Sequence, residues 1–230
     1  MRTFFAVTVT LLLAGTALAQ GGKDNPLKTE DQEAAYALGM NFGGNLLRQG
    51  VEVEFDSFFR GFRDAMEQNQ PLLDDQEIQD VLIGFRARMQ EKREREFIAK
   101  NEKNEKEGAA FLAANKKKNN VVTTASGLQY RVIRAGKGEF PTASDTVVTH
   151  YKGTLIDGTV FDSSYQRGEP ASFQTSGVIR GWTEALLLMK VGSKWELYIP
   201  PELAYGVRGS LPAIGPNATL IFEIELLEIK

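Results

Sequence analysis

The sequence predicts an α+β protein: an N-terminal all-α domain, a long connecting helix, and a C-terminal antiparallel β-sheet wrapped on one short helix. Three observations support this fold class. Apolar side chains recur at helical spacing up to about residue 89, and residues 90–118 contain no proline and mostly strong helix formers. From residue 119 onward apolar and polar residues alternate with a period of two, which is typical of half-buried strands. We therefore expect a helical domain at residues 20–89 and a sheet domain at residues 119–230, joined by the helix.

Residues 1–19 have the form of a secretory signal peptide. Arg2 precedes an apolar run at residues 4–13, and small residues then lead to the sequence Ala-Leu-Ala at 17–19, which matches a signal-peptidase site. A membrane anchor is the alternative, but the run is shorter than the ~20 apolar residues that span a bilayer, and no later segment is apolar enough. We expect an exported, periplasmic protein without a membrane span; outer-membrane association and secretion are the alternatives.

The composition excludes several classes of function. The chain has 27 basic and 30 acidic side chains, a formal net charge of −3, so no overall positive field favours nucleic acid. The absence of cysteine removes disulfides and thiolate chemistry, and the single histidine, His150, cannot build a multi-histidine metal site. Carboxylate, serine or lysine chemistry, carboxylate-bound calcium or magnesium, and catalysis that breaks no covalent bond remain. We expect no cofactor, no metal and no nucleic-acid partner.

Three helices are predicted to begin in the N-terminal domain. Thr29 opens a capping box for the first, which runs to Leu47, Asp56 caps the second, and the acidic residues at 74–77 open the third. This short segment contains many large apolar side chains, among them Met40, Phe42, Phe55, Phe58, Phe59, Phe62, Met66 and Phe85. A unit of about 60 residues has a marginal core when alone, so we expect a homodimer through the N-terminal helices. A self-sufficient helical cap is the alternative.

The third helix is expected to continue as the connecting helix. From residue 90 to 118 the only glycine is Gly108, and a helix from Asp75 to Lys118 would be about 65 Å long. Between Lys100 and Gly108 no apolar stripe is present, so we expect this stretch to be solvated on every side. A flexible charged linker is the alternative to this rigid arm.

The C-terminal domain has the alternation of an antiparallel sheet. Turn signals such as Asp157-Gly158 separate the alternating segments, and Pro200-Pro201 ends one of them. Strands are predicted at residues 128–133, 146–155, 160–161, 194–199 and 220–227. Only residues 183–189 have a helical pattern, which Gly192 closes. We therefore expect the sheet to wrap on this one helix.

Two segments of this domain are highly specific in combination. Residues 158–164 read Gly-Thr-Val-Phe-Asp-Ser-Ser, and residues 178–182 read Val-Ile-Arg-Gly-Trp. In this order and spacing they resemble the FKBP-type peptidyl-prolyl isomerases, and the similarity extends from Gly127 to Lys230. The N-terminal half resembles the helical dimerisation domain and connecting helix of the exported two-domain bacterial members, the macrophage infectivity potentiator-like group. The resemblance implies an FKBP-like fold and isomerase activity.

This reaction suits a site without a nucleophile or a metal. Rotation about an Xaa-Pro bond meets a barrier of ~18–20 kcal/mol because the planar amide is resonance-stabilised. An enzyme lowers the barrier by binding the twisted amide better than the planar one, and an apolar pocket helps because the planar amide is more polar. The resemblance implies that the proline ring sits on Trp182. The other substrate-binding residues that it implies are Tyr151, Phe161, Arg167, Val178, Ile214 and Phe222.

The resemblance also implies the catalytic groups. The backbone N–H of Ile179 and the hydroxyl of Tyr205 donate to substrate carbonyls, and Asp162 lies against the strained amide. Arg167 is the expected partner of the Asp162 carboxylate. That carboxylate either contacts the twisted carbonyl or orders Tyr151 and Arg167.

Two further positions qualify this site. Ala171 stands where many relatives have an aromatic residue, which opens one wall of the groove. His150 is adjacent to Tyr151 on a predicted strand, so its side chain points to the opposite face. We expect His150 to be structural or to face solvent.

The function expected from the resemblance is that of a dimeric exported isomerase. It would accelerate the folding of exported proteins, and the dimer cleft would add chaperone activity. Its partners would be unfolded or proline-containing exported polypeptides, and macrolides of the rapamycin class would inhibit it. The alternative is a non-catalytic holdase or surface adhesion module that uses the same pocket for binding.

Overall fold

The computed structural model describes residues 26–230, so the predicted signal peptide at residues 1–19 lies outside the described residues. The described residues divide into two compact units, one ending at Asp75 and the other running from Gln76 to Lys230. The three long elements of the helical region are α1 (Glu30–Arg48), α2 (Phe55–Glu67) and α3 (Asp75–Asn115). An antiparallel sheet follows them, so the predicted α+β fold class is confirmed.

Helices α1 and α2 begin at side-chain caps. The Thr29 hydroxyl accepts the N–H of Gln32 at 3.2 Å, as the capping box predicted. Helix α2 is capped by Glu54 and not by Asp56: the Glu54 carboxylate accepts the N–H groups of Asp56 (3.0 Å) and Ser57 (2.9 Å). Asp56 instead lies in the first turn, where its negative charge interacts favourably with the helix dipole.

Neither α1 nor α2 contains a buried residue. Phe42 and Phe58 stack with their ring centroids 5.7 Å apart, and Phe58 meets Phe59 edge-on. Many large side chains of these helices are nevertheless exposed, namely Tyr36, Met40, Leu47, Phe55, Phe62 and Met66. The apolar faces that the sequence predicted therefore remain uncovered within the described residues of a single chain.

Helix α3 is continuous for 41 residues but differs from the prediction in two respects. It ends at Asn115, so Lys116–Lys118 lie outside the helix. Its last third is not solvated on every side, because partly or fully buried residues recur every three or four positions. These residues are Asn101, Asn104, Gly108, Phe111 and Asn115. The prediction was wrong because this stripe consists mainly of asparagine and glycine and not of apolar side chains.

Close packing and hydrogen bonds hold this part of α3 on the sheet domain. The Nδ2 of Asn115 donates to Oε1 of Gln129 (3.0 Å), and Nε2 of Gln129 donates to the carbonyl of Leu112 (3.0 Å). Gly108 lies so close to Thr219 that a Cβ on Gly108 would fall 2.4 Å from Oγ1 of Thr219. Only glycine fits at this point of the helix without a shift of its neighbour.

Seven antiparallel strands form one sheet in the order β1-β2-β6-β7-β3-β4, with β5 paired to β3. The strands are β1 (Val121–Thr123), β2 (Gln129–Arg134), β3 (Thr146–Leu155), β4 (Val160–Ser163), β5 (Ala171–Gln174), β6 (Lys194–Ile199) and β7 (Leu220–Ile229). Two short helices accompany them, α4 (Ser164–Arg167) and α5 (Arg180–Leu188). Strands β1 and β5 were not predicted because three or four residues carry too little alternation to detect.

The core lies between the sheet and α5. Every second residue in the first part of β7 is buried: Leu220, Phe222, Ile224 and Leu226. Trp182, Ala185 and Leu186 of α5 belong to the same buried cluster. Gly181 lets α5 approach β6 closely, since a Cβ there would lie 2.6 Å from Cγ2 of Ile199.

Helix α5 begins at Arg180, three residues before the predicted start at residue 183. The carbonyl of Ile179 accepts the N–H groups of Trp182 (2.9 Å) and Thr183 (3.1 Å), which closes an earlier first turn. This earlier start brings Trp182 into the helix and toward the sheet.

The contact of Gly108 with Thr219 can be tested by stability measurements. We expect Gly108→Ala to lower the free energy of unfolding of the sheet domain by about 1–3 kcal/mol, because the new methyl group overlaps Thr219. The control is Gly84→Ala in the same helix, where the nearest atom is Nη1 of Arg88 at 3.5 Å and the better helix propensity of alanine should prevent any loss. Urea unfolding followed by tryptophan fluorescence and circular dichroism provides the measurement. A Gly108→Ala protein as stable as the wild type would contradict the packing described.

Candidate active site

A pocket of about 600 Å³ opens between the sheet and the start of α5. Nine of the ten site residues predicted from the sequence line it: Tyr151, Phe161, Asp162, Val178, Ile179, Trp182, Tyr205, Ile214 and Phe222. Arg167 does not line the pocket and lies behind Asp162. The remaining lining residues are Phe173, Gly177, Ser210 and Ala213.

The floor of the pocket is the indole ring of Trp182, which is 4% exposed. Three rings meet it edge-on, with centroids 5.2 Å (Tyr151), 5.6 Å (Phe173) and 5.1 Å (Phe222) from its own. Edge-to-face contacts of this kind are favourable for aromatic pairs and fix the orientation of the indole. Its Nε1 is buried and has no hydrogen-bond partner among the described residues.

Gly153 on β3 allows two wall residues to meet. Phe161 on β4 and Phe222 on β7 approach each other edge-on across β3, with ring centroids 5.4 Å apart. A Cβ on Gly153 would lie 2.6 Å from the ring of Phe161 and 2.7 Å from that of Phe222. A larger residue at position 153 would therefore prevent the contact between the two rings. The alternating pattern of β3 did not indicate this role of Gly153.

A polar triad lies at the rim of the pocket. The Tyr151 hydroxyl donates to Oδ2 of Asp162 (2.6 Å), and Nη2 of Arg167 donates to the Tyr151 hydroxyl (2.7 Å). Nη1 of Arg167 pairs with Oδ1 of Asp162, and the guanidinium lies 5.3 Å from the centre of the Tyr151 ring. The side chains of Asp162 and Arg167 are 43% and 44% exposed, so this ion pair is not buried in the apolar pocket.

The triad holds well-defined charges at neutral pH. Burial raises the pKa of the Asp162 carboxyl, but hydrogen bonds from Tyr151 and Arg167 outweigh it, so the pKa lies below its usual value of 3.8. Burial, and then the hydrogen bond to Asp162, raise the pKa of Tyr151 above 10.0. Asp162 is therefore an anion and Tyr151 a neutral donor at neutral pH.

Two hydrogen-bond donors that line the pocket have no partner among residues 26–230. Ile179 precedes α5, and although its carbonyl is used by the helix, its N–H makes no hydrogen bond to a described residue. The hydroxyl of Tyr205, a side chain that is 40% exposed, is likewise without a partner in the described part of the chain. Both groups are free to bind carbonyl oxygens of a ligand.

Ile214 is brought to the pocket by a loop that closes on itself. The backbones of Ser210 and Ile214 exchange two hydrogen bonds of 2.8 and 2.9 Å. The N–H of Asn217 donates to the carbonyl of Gly206 (2.9 Å), which connects this loop to the residue after Tyr205. The loop and Tyr205 therefore form one hydrogen-bonded side of the pocket.

His150 lies on the face of β3 away from the pocket, as alternation predicted. Its Nδ1 is 3.0 Å from Oγ of Ser164, and its ring stacks on Tyr165 with centroids 4.6 Å apart. The Ser164 hydroxyl also accepts the N–H of Tyr151 (2.7 Å) and donates to the carbonyl of Tyr151 (3.1 Å). Ser164, which anchors the backbone of a pocket residue, was not predicted as a site residue from the sequence.

Phe173 is the main lining residue that was not predicted from the sequence. It follows Ala171 by two residues on β5, so both lie on the same side of the strand, and Phe173 contacts Tyr151 and Trp182. The spacing of Ala171 and Phe173, two residues apart, was the one sequence feature that could have indicated that Phe173 faces the pocket. Ser210 and Ala213 come from an irregular loop whose course no periodic pattern indicates.

Residues 26–230 contain no group of three or more histidine, cysteine, aspartate or glutamate side chains arranged to hold a metal ion. Among the same residues no helix is both long and apolar enough to cross a membrane. The pocket thus offers aromatic surface, two free neutral donors and one ion pair at its rim.

Two family models match the chain. The model described as FKBP-type peptidyl-prolyl cis-trans isomerase covers residues 137–227, and that described as the domain amino terminal to FKBP-type peptidyl-prolyl isomerase covers residues 31–132. The chain belongs to the FKBP-type peptidyl-prolyl isomerase family. It is a peptidyl-prolyl cis-trans isomerase, and the resemblance noted in the sequence is confirmed.

Several relatives have the same two-part architecture. The chain is 45% identical over 225 residues to "Outer membrane protein MIP" of Legionella longbeachae, covering 97% of both chains. It is 41% identical over 224 residues to "Peptidyl-prolyl cis-trans isomerase Mip" of Coxiella burnetii, covering 97% of this chain and 96% of that one. The crystal structure of FkpA from Escherichia coli matches with a TM-score of 0.67 and 45% identity, over 89% of this chain and 98% of that chain. This FKBP-type isomerase is thus similar to them over nearly its whole length.

The low pKa of Asp162 leads to a prediction about pH. The pKa of Asp162 is lower in the folded protein than in the unfolded chain, where it is about 3.9. The ion pair therefore contributes fully to the free energy of unfolding above about pH 3.9. This contribution is lost as the pH falls through the lower pKa of the folded state. We therefore expect no change in isomerase rate from this group between about pH 5 and 8.

The carboxyl carbon of Asp162, followed by ¹³C NMR, provides the measurement. Arg167→Leu should raise the pKa of Asp162, because the variant removes one of the two hydrogen-bond donors to the carboxylate. Arg134→Leu, which removes an ion pair with Glu225 elsewhere on the sheet, is the control and should leave the Asp162 titration unchanged. A wild-type Asp162 that titrates at or above 3.8 would contradict the assignment of the triad.

Proposed function

We propose that this pocket is the isomerase site and that the prolyl ring of the substrate binds on Trp182. The observation that carries the proposal is an apolar aromatic floor combined with two unpaired donors, the N–H of Ile179 and the hydroxyl of Tyr205. The walls for the prolyl ring and its neighbours are Tyr151, Phe161, Val178, Ile214 and Phe222. A proline ring needs such a surface because it is apolar and carries no N–H.

Catalysis in this pocket follows from preferential binding of the twisted amide. Resonance makes the planar amide dipolar, and transfer from water to an apolar pocket disfavours it more than the twisted form. The N–H of Ile179 and the hydroxyl of Tyr205 bind the twisted chain by donating hydrogen bonds to its carbonyl oxygens. No covalent bond breaks and no proton leaves the substrate, so the neutral state of both donors is sufficient.

Of the two roles considered for Asp162, the ordering role has the better support. Both carboxylate oxygens are engaged, one by the Tyr151 hydroxyl and the other by Arg167. An oxygen already accepting a strong hydrogen bond has less capacity to act on a substrate carbonyl carbon. We propose that Asp162 and Arg167 hold the Tyr151 ring against Trp182 and thereby shape the wall of the site.

We further propose that the protein is a homodimer through its N-terminal helices. Leu47, Phe55 and Met66 are 80%, 66% and 70% exposed in the single chain, and neither α1 nor α2 buries any residue. Burial of apolar surface contributes about 25 cal/mol per Å², so a second copy that covers these faces would stabilise both. Apolar surface left in the cleft between the copies would then bind non-native chains and add chaperone activity.

The proposed substrates are unfolded or proline-containing polypeptides outside the cytoplasm. The signal-peptide pattern at residues 1–19 supports export to the periplasm, and the Legionella relative is named an outer membrane protein. Macrolides of the rapamycin class are proposed as inhibitors that occupy the same pocket. A non-catalytic holdase or adhesion module would keep binding but lack the rate acceleration.

The pocket assignment is tested with Trp182→Ala. We expect kcat/KM for an Ala-Leu-Pro-Phe peptide to fall by about tenfold or more, because the variant removes a floor worth ~1.5 kcal/mol or more of apolar contact. NMR exchange spectroscopy on the chain from residue 20 measures the rate without a coupled protease. The control is Trp195→Phe, since Trp195 stacks on Tyr130 and does not line the pocket. Unchanged turnover in Trp182→Ala would show that the pocket is misassigned, and wild-type protein without any acceleration would favour the holdase.

The role of the N-terminal helices is tested by deleting residues 20–75. We expect a monomer that turns over short peptides like the full chain but catalyses proline-limited protein refolding more slowly, because the apolar faces of α1 and α2 are lost. Sedimentation and parallel peptide and refolding assays measure both effects. Deletion of residues 20–118 is the comparison and should also destabilise the sheet domain, because it removes the docked end of α3. A deletion variant that stays dimeric, or refolds protein at the full rate, would contradict the proposal.

A further inference from the structure

The end of α3 contacts the loop that carries Ile214 into the pocket. We define the Ile214 loop as residues 210–219. The Nδ2 of Asn104 donates to the carbonyl of Pro216 at 2.7 Å, a contact between residues 112 positions apart. One turn before it, Lys100 packs on Gly215 so closely that a Cβ on Gly215 would lie 2.6 Å from Cε of Lys100. One turn after it, Gly108 contacts Thr219 in the manner already described.

The opposite side of the same loop forms part of the pocket. Ser210, Ala213 and Ile214 line it, and Ile214 is only 5% exposed. The loop is also bonded to the segment of Tyr205 through the N–H of Asn217 and the carbonyl of Gly206 (2.9 Å). The Ile214 loop is therefore a single layer between α3 and the pocket, and Asn104 makes the only side-chain hydrogen bond from α3 to it within residues 26–230.

Helix propensity does not explain an asparagine at position 104 of α3. Asparagine is a poor helix former because its amide competes for backbone groups, and the surrounding residues of α3 are mostly glutamate and lysine. Its amide is half-buried and points outward from the helix to a carbonyl of another segment. The side-chain amide thus donates to the Ile214 loop and makes no hydrogen bond within α3 among the described residues.

We propose that Asn104 is a positioning residue of the isomerase, which sets the position of Ile214 and, through Asn217 and Gly206, that of Tyr205. This inference rests on the pocket assignment proposed above. Loss of the Asn104 hydrogen bond releases the carbonyl of Pro216 and lets the Ile214 loop move away from the floor. Small displacements of a group that contacts the substrate are known to reduce rates strongly. Helix α3 is then a structural part of the active site as well as a connection.

A second contact of α3 provides a matched control. Asn115 is buried and donates to Gln129 on β2, a strand that contributes no residue to the pocket lining. Asn104→Ala and Asn115→Ala both remove an asparagine that docks α3 by a hydrogen bond of similar length, 2.7 and 3.0 Å. Only the first of them should affect the reaction.

The experiment compares Asn104→Ala, Asn104→Asp and Asn115→Ala in the full chain from residue 20. Asn104→Asp keeps the approximate shape of the side chain, replaces the donor with a carboxylate oxygen and adds a negative charge beside the carbonyl of Pro216. It therefore breaks the same hydrogen bond without opening a cavity and covers the case in which the alanine variant folds poorly. We expect both Asn104 variants to lower kcat/KM for the proline peptide by about two- to tenfold, with KM rising more than kcat falls. Amide NMR signals of Ile214 and Tyr205 should shift in the Asn104 variants and not in Asn115→Ala.

A merely structural role of Asn104 has a different outcome. The Asn104 variants, like Asn115→Ala, would then be less stable in urea but would keep the wild-type KM, kcat and amide shifts of the pocket residues. That result would overturn the inference. Trp182→Ala, measured alongside, separates this failure from failure of the pocket assignment. If Trp182→Ala also leaves the kinetics unchanged, the pocket itself is misassigned and the proposal for Asn104 falls with it.

Discussion

The rest of the site depends on the packing of Trp182 between α5 and the sheet. Its ring is met edge-on by Tyr151, Phe173 and Phe222, which come from three different strands. Edge-to-face contacts have a preferred geometry, so they fix the helix on the sheet and the orientation of the indole together. The same side chain is therefore both a core residue and the floor of the pocket, and the floor is as rigid as the core.

Charge is kept at the rim of this apolar site. Asp162 and Arg167 neutralise each other where both are partly solvated, so neither bears the full desolvation penalty of a deeply buried ion. Apart from Asp162 at the rim, the described lining consists of neutral side chains, mostly aromatic and aliphatic. That arrangement suits rotation about an amide bond, because the planar amide is the more polar state and an apolar pocket disfavours it most.

Helix α3 belongs physically to the sheet domain over its last third. Asn104, Gly108 and Asn115 dock it by hydrogen bonds and close approach, and the ring of Phe111 contacts that of Tyr198 on β6. A contact of this kind depends on geometry more than on buried area, since each hydrogen bond needs its partner in place. It is well suited to hold the Ile214 loop in one position.

The sequence by itself determined the fold class, the strands β3 and β6, and the motifs at residues 158–164 and 178–182, because periodicity and short-range motifs are local properties. It did not indicate the roles of Gly153, Phe173 or Ser164, or the docking of Asn104. Those residues act on partners brought near by the fold: Gly153 on two rings from neighbouring strands, and Asn104 on a carbonyl 112 residues away. Only the tertiary structure decided these contacts, because a hydrogen bond or a close approach has no period in the sequence, whereas an apolar face does.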